Sequence, residues 1–392
     1  MGPTATQLGL VALAAAGAAV TATGNHGETR SFIIGPMYMP SVEVDATSCP
    51  TKPKGALAVF RDSLPPDQLA QLAADKDPRA AVALMIKQLG FQRGPDDDTL
   101  TRANFAERAL AAGLPPGKGA ISSYPRRHVA YDLCTNPADF PMLAAGHQEY
   151  LGKIGYGMNL DGKVGRHDLI GVDGEKGVDN AWYQAVGCAN IARSTGDPKV
   201  GDNVIVSRQA PTLLEVTGID DPVNDDSVEV NVYAAARPLD LDATGKTLAW
   251  ASYRPVTDRA FIGHAKGRIE GGVLITEPFD VTLRMHESII DSNRELKAAR
   301  INATLHPDGT LDGGFYGYQT LASLEDAYAQ TSTIGIEMLS CPAEVLALRK
   351  HADGYPDPRT HRNTAISVAL RFKAVPAFVV HDGAPGGKVA SK

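Results

Sequence analysis

From Asn203 to Tyr318 the chain alternates apolar and polar positions in short runs. Val204-Ile205-Val206, Val228-Glu229-Val230-Asn231-Val232-Tyr233 and Arg300-Ile301-Asn302-Ala303-Thr304-Leu305 carry the pattern. A period of two puts one face of each run on a core and the other in water, so these runs are predicted as half-buried strands. Asp308-Gly309 separates the last of them from the segment Gly314 to Tyr318. That dipeptide supplies the positive φ a tight hairpin turn needs. Ala365 to Val380 alternates again through Val368, Leu370, Phe372 and Ala374, and is expected to close onto the preceding sheet. Earlier, Arg30 to Ser48 holds Ser31-Phe32-Ile33-Ile34 and Met37-Tyr38-Met39, an extended segment running into the Cys49-Pro50 corner.

Helical spacing occupies other parts. Leu64-Pro65-Pro66-Asp67 opens Gln68 to Leu89, where Leu69, Leu72, Ala73, Ala80, Val82, Leu84 and Leu89 recur near 3.6-residue spacing. A second helix is expected over Arg102 to Ala112, ended by Gly113-Leu114-Pro115-Pro116-Gly117. Leu321 to Ala352 reads as helix interrupted or restarted at Pro342. Together these predict an α+β protein. Residues 23–202 form a helical and loop-rich N-terminal part. Residues 203–382 form an antiparallel β-rich sandwich or open barrel with a helical insertion at 321–352, and residues 383–392 a flexible tail. Strands spaced this closely do not fit a doubly wound nucleotide-binding fold.

Residues 1–22 read as an export leader. Leu8 to Val20 is an unbroken run of Leu, Val, Ala and Gly, too short to span a bilayer, and Val20-Thr21-Ala22 offers the small residues of a cleavage site. Met1 to Gln7 lacks the Lys or Arg of a typical leader start, and a buried or interfacial Ala-rich helix is the alternative. At 392 residues and 43% hydrophobic the chain has ample core material. A net charge of −7 without a basic run leaves no footprint for nucleic acid or for an anionic membrane surface. Cys49, Cys134, Cys188 and Cys341 contain no Cys-x-x-Cys pair. In an oxidising compartment they predict two disulfides, and spacing leaves all three pairings open; in a reducing one they would be buried thiols.

Asn159, Asp161, Asp168, Asp173, Glu175, Asp179 and Asn180 crowd oxygen side chains onto a glycine-rich segment. Calcium gathers six to eight such oxygens from a flexible backbone, so these seven are the candidate ligands of a structural calcium-type loop. The EF-hand spacing fails. Asp240, Asp242, Thr244 and Gly245 open correctly but place Ala251 at the twelfth position, and a start at Asn159 puts Lys163 at the fifth. The plainer alternative is ordinary Asx and Gly turn chemistry.

Asp173-Gly174-Glu175-Lys176-Gly177-Val178-Asp179-Asn180, with Tyr183 and Gly187-Cys188 after it, resembles the signature of a family of uncharacterised exported proteobacterial proteins. Asn159 to Gly162, Gly317 to Gln319 and Val375 to Phe378 extend the resemblance over most of the chain after the leader. No reaction comes with it, so no catalytic residue is implied. The resemblance favours pairing Cys49 with Cys188 and Cys134 with Cys341.

The common enzyme signatures are missing. There is no Gly-x-Ser-x-Gly elbow, His286-Glu287 lacks the second histidine of a zinc-protease helix, and Gly117-Lys118-Gly119 is not a phosphate loop. His147 with His167, His351 with His361, and Met37 with Met39 are loose metal-ligand groups, more simply read as scattered surface and core residues. Trp250, Tyr253, Phe315, Tyr316 and Tyr318 are candidate stacking platforms or core aromatics. Two functions fit. One is a periplasmic or cell-surface binding or accessory protein holding a protein or glycan partner. The other is a secreted hydrolase of a polymer or ester, with a carboxylate or ion-assisted site near Asp161 to Asp179.

Overall fold

A computed structural model describes residues 27–50, 60–75, 147–189, 211–287, 290–331 and 341–381, with residues 80, 84 and 137 isolated between them. Outside the described residues lie the leader, the expected helix at Arg102 to Ala112, the run Val204-Ile205-Val206, Cys134 and the tail.

Ser31-Phe32-Ile33-Ile34 belongs to strand β1 (Glu28–Tyr38), which sits between two partners far away in sequence. It pairs with β5 (Thr212–Ile219) on one side and β14 (Asn363–Val379) on the other, antiparallel to both. From β5 the sheet continues through β6 (Asp225–Ala234), β8 (Ile262–Glu270), β9 (Val273–Thr276), β11 (Ile290–Leu305) and β12 (Leu311–Thr320) back to β14. Eight antiparallel strands therefore close on themselves. Where the alternation predicted a sandwich or an open barrel, the barrel is closed, and its closing strand comes from the N-terminal part. Closure removes the two free edges an open sheet would leave.

Every second residue points inward. Phe32, Val230, Ile301, Phe315, Leu370 and Phe372 are buried in one apolar cluster, and Gly313 lies opposite Ala303 because a Cβ there would run into the Asn302 and Ala303 backbone. Gly309, at φ 85°, makes the β11–β12 turn expected at Asp308-Gly309. Two helices, α3 (Leu321–Thr331) and α4 (Cys341–His351), add Leu324, Tyr328, Val345 and Leu348 to the same cluster at the end where β12 stops and β14 starts. Pro342 stands in the first turn of α4, where its missing N–H has no intrahelical partner to lose.

The described part of residues 23–202 is mixed rather than mainly helical. Pro66 starts the helix α1 (Pro66–Ala74), the described beginning of the helix expected to Leu89. β2 (Ile154–Gly155), β3 (Leu169–Gly171) and β4 (Lys176–Val178) form a separate three-stranded sheet, followed by the short helix α2 (Ala181–Val186). Trp182 and Tyr183 of α2 join the main core. A disulfide between Cys49 and Cys188 ties the segment after β1 to the residues just past α2, across 139 positions of sequence. That is one of the two pairings the resemblance favours. The other involves Cys134 and the Cys341 side chain, both outside what is described.

Two further strands lie off the barrel path. β7 (Ala251–Tyr253) runs parallel to the end of β14, and β13 (Gly354–Pro356) pairs with its start. β10 (Phe279–Glu287) pairs with the first half of β11, from Ile290 to Ala299, and forms a long hairpin with it. At Lys297–Arg300 the register of β11 against β12 shifts, and Ala298 takes φ 45°, a β-bulge in the middle of the strand.

Candidate functional site

The seven expected ion ligands each take up nearby backbone groups. Asn159 Oδ1 accepts the Gly162 amide at 2.7 Å, Asp161 Oδ1 the Lys163 amide at 2.8 Å, and Asp173 Oδ1 the Glu175 amide at 3.1 Å. Asp168 accepts the Gly165 amide, and Glu175 Oε1 the Asn159 amide at 3.2 Å. Asn180 caps α2 by accepting the Tyr183 amide and donates to the Tyr156 carbonyl. Most are local side-chain-to-amide turns and a helix cap, and Glu175 ties the segment's two ends together through the Asn159 amide. Among the described residues no group of three or more His, Cys, Asp or Glu could hold a metal ion.

Asp179 differs from its neighbours. Its Oδ2 accepts the Leu160 amide at 2.7 Å and lies 3.4 Å from that of Asp161. Burial raises its carboxyl to about 6; the Leu160 amide holds it back, and the nearby Asp161 charge adds to the rise. The segment packs on the outer face of the barrel, where Leu160 is buried with Tyr316 and Ala369 and its carbonyl accepts Arg300 at 3.0 Å. Asp179 thus belongs to a packed joint.

A concave site lies elsewhere, on the outward face of the β10–β11 hairpin. The register sets Arg284 opposite Asn293 and Thr282 opposite Glu295, and Lys297 Nζ meets Asp280 Oδ2 at 2.7 Å. Alternate residues on a strand stand about 6.7 Å apart, so Arg284 to Asp280 measures about 13 Å. Two hollows share Glu295 along this line. The larger, about 680 Å³, is also lined by Val256, Asp258, Phe261, Ala322, Ser323 and Asp326; the smaller, about 180 Å³, by Ala260, Ile262, Asp280 and Lys297 among others. The two hollows adjoin at Glu295 and, lined by polar and apolar side chains alike, make up a trough on this arm.

Several of its side chains are held by local bonds. Asp258 caps the 3₁₀ turn Arg259–Phe261 through the Ala260 amide, and Thr320 Oγ1 donates to Glu295 Oε2 at 3.2 Å. Burial acts to raise Asp280, but the Lys297 pair outweighs it and leaves the carboxyl below its ordinary value. The hydrogen bond with Asp280 raises Lys297 in turn. Tyr355 lies within electrostatic reach of Asp280 and Lys297, and its ring packs edge-on to Tyr318 at 5.7 Å. Its φ of 55° is a left-handed conformation a tyrosine adopts at a cost of about 1–3 kcal/mol.

Other candidates from the sequence take structural places. His147 Nε2 lies 2.8 Å from the Ala185 carbonyl, His351 Nε2 lies 2.9 Å from Glu149, and Met39 Sδ accepts Arg294. Of the five aromatics, Tyr253, Phe315 and Tyr316 are buried and Trp250 is 62% exposed against Phe378. None of the seven acidic-segment residues lines either of these two hollows. The trough residues were not singled out from sequence, because residues 256–261, 280–284, 293–297 and 322–326 meet only in the fold. The one available signal was the polar alternation Asp280, Thr282, Arg284 within an apolar run. No family model, curated protein or solved structure matches the chain, so the trough is read from its own chemistry.

Proposed function

We propose that the protein is an exported binding protein that holds a hydroxyl-rich chain ligand, a glycan, in the trough on the β10–β11 hairpin. The observation that carries this reading is the register of that hairpin, which sets Arg284, Asn293, Thr282, Glu295, Lys297 and Asp280 in one outward-facing row. Amide, hydroxyl, carboxylate and guanidinium groups in a row offer both donors and acceptors, as sugar hydroxyls require. Tyr355 adds a ring at one end. Export rests on the apolar leader and on the resemblance to exported proteins, and the Cys49–Cys188 disulfide is consistent with it. The acidic segment is shaped by its own amides, so this reading needs no calcium. A chelator that lowered Tm, with Ca²⁺ restoring it, would assign an ion there.

Calorimetric titration with cellohexaose, maltohexaose and N-acetylchitohexaose tests the trough. One of the three is expected to bind at one site, with Glu295→Ala and Arg284→Ala each weakening it about tenfold, the cost of one charge-assisted hydrogen bond. Binding by none, or binding indifferent to both variants, removes the reading. The hydrolase alternative finds its carboxylates in the same trough, at Asp258, Glu295 and Asp326. Cleavage of the bound oligosaccharide would favour it.

A further inference from the structure

The charges along the trough are unevenly matched. In the smaller hollow Asp280 and Lys297 pair with each other at 2.7 Å and neutralise each other where they stand. In the larger one Asp258, Glu295 and Asp326 meet a single cation among the described lining residues, Arg284. The three carboxylates come from separate elements, the cap of the 3₁₀ turn, β11 and α3, so only the fold brings them together. Val256, Phe261 and Ala322 give the same hollow apolar walls, which concentrate a field of one sign inside it. Ser292 also lines this hollow at 4% exposure, and its buried Oγ has no hydrogen-bond partner among the described residues. A buried hydroxyl is ordinarily paired, so this one offers an acceptor to a donor brought by a ligand.

We propose that the glycan this trough takes is cationic, a chain of amino sugars whose amines are free rather than acetylated. The inference rests on the glycan reading and narrows it. A neutral hydroxyl donates and accepts alike and gains little from an excess of carboxylates. An ammonium carries donors only and a full positive charge, the complement of Asp258, Glu295, Asp326 and the Ser292 hydroxyl. Acetylation removes that charge, and an acidic sugar would set its own carboxylate against three others. Arg284 and Asn293, side by side on the hairpin, remain for the uncharged hydroxyls of the same chain.

Calorimetric titration of the full-length protein with the β-1,4 hexamer of glucosamine, at mildly acidic pH where its amines are charged, reads the proposal. Cellohexaose and N-acetylchitohexaose share its backbone and differ only at carbon 2. The glucosamine hexamer is expected to bind about tenfold tighter than either at low salt, with the advantage shrinking at about 0.5 M NaCl as the carboxylates are screened. Asp258→Asn keeps an acceptor for the Ala260 amide and Glu295→Gln one for the Thr320 hydroxyl, so each removes a charge and leaves the local bond. Each is expected to cut the advantage about two- to fivefold, the range for a partly exposed ion pair. Neutral hexamers that bind as tightly as the glucosamine hexamer overturn this inference and leave the glycan reading standing, whereas binding by no hexamer removes both. Hexalysine binding as tightly as the glucosamine hexamer overturns it too, since charge without sugar would then suffice. So does an advantage unmoved by salt and by both variants.

Discussion

Asp179 shows how much one carboxyl can report about its surroundings. In the sequence it was one acidic residue among several, and its neighbourhood gave no means of telling it from Asp161 or Asp173. Burial sets it apart, in a segment whose Leu160 packs with Tyr316 and Ala369, nearly 140 and 190 residues downstream of Asp179. Its carboxyl is raised to about 6 from 3.8, so the folded state holds a proton the unfolded chain has released. The stability this contributes is complete below pH 3.8 and disappears as pH rises through about 6. Asp179→Asn keeps an oxygen for the Leu160 amide and removes the titration. Denaturant midpoints across pH 4 to 7 should therefore be flatter in the variant, with the variant more stable than wild type at pH 7. A wild-type profile already flat over that range would show that Asp179 ionises normally.

At the scale of elements, alternation made β6 and the second half of β11 legible, since each has one apolar and one polar face, whereas β14 alternates only past Leu370 and is buried on both faces from Ala365 to Leu370. Asp308-Gly309 made their hairpin legible through turn chemistry alone. The β10–β11 arm was not, because its outward row shows its meaning only when Arg284 and Asn293 are set side by side. In the acidic segment the oxygen side chains that the sequence offers a cation accept nearby backbone amides, a use that spacing alone did not distinguish from ion binding. The Cys49–Cys188 crosslink was favoured by resemblance and left open by spacing. It closes a loop of 139 residues, which places its chain-entropy contribution at about 4–5 kcal/mol, near the top of the range for single disulfides. Cys49→Ser with Cys188→Ser should lower the unfolding free energy by several kcal/mol, read from urea midpoints at constant slope. A loss under about 1 kcal/mol would mean that the α2 packing holds the joint without the bond.

The described residues centre on a barrel closed by a strand that precedes its other strands by more than 170 residues. No local pattern could announce that. Phe32 and Ile34 showed only that β1 needed an apolar surface, and the surface turned out to lie between Leu214 and Phe372. Once closed, the barrel holds its eight strands in register, with the β10–β11 arm presenting Asp280, Thr282 and Arg284 on its outer face. The central claim is that this arm is where the protein meets its ligand. Hydrogen exchange with and without the oligosaccharide that binds best tests it most directly. Amides of residues 280–287, 290–297 and 322–326 should slow on binding, while those of β1 and β14 should stay unchanged. Slowing confined to the acidic segment at 159–180, or to the exposed Trp250 and Phe378, with the arm unaffected, would contradict it.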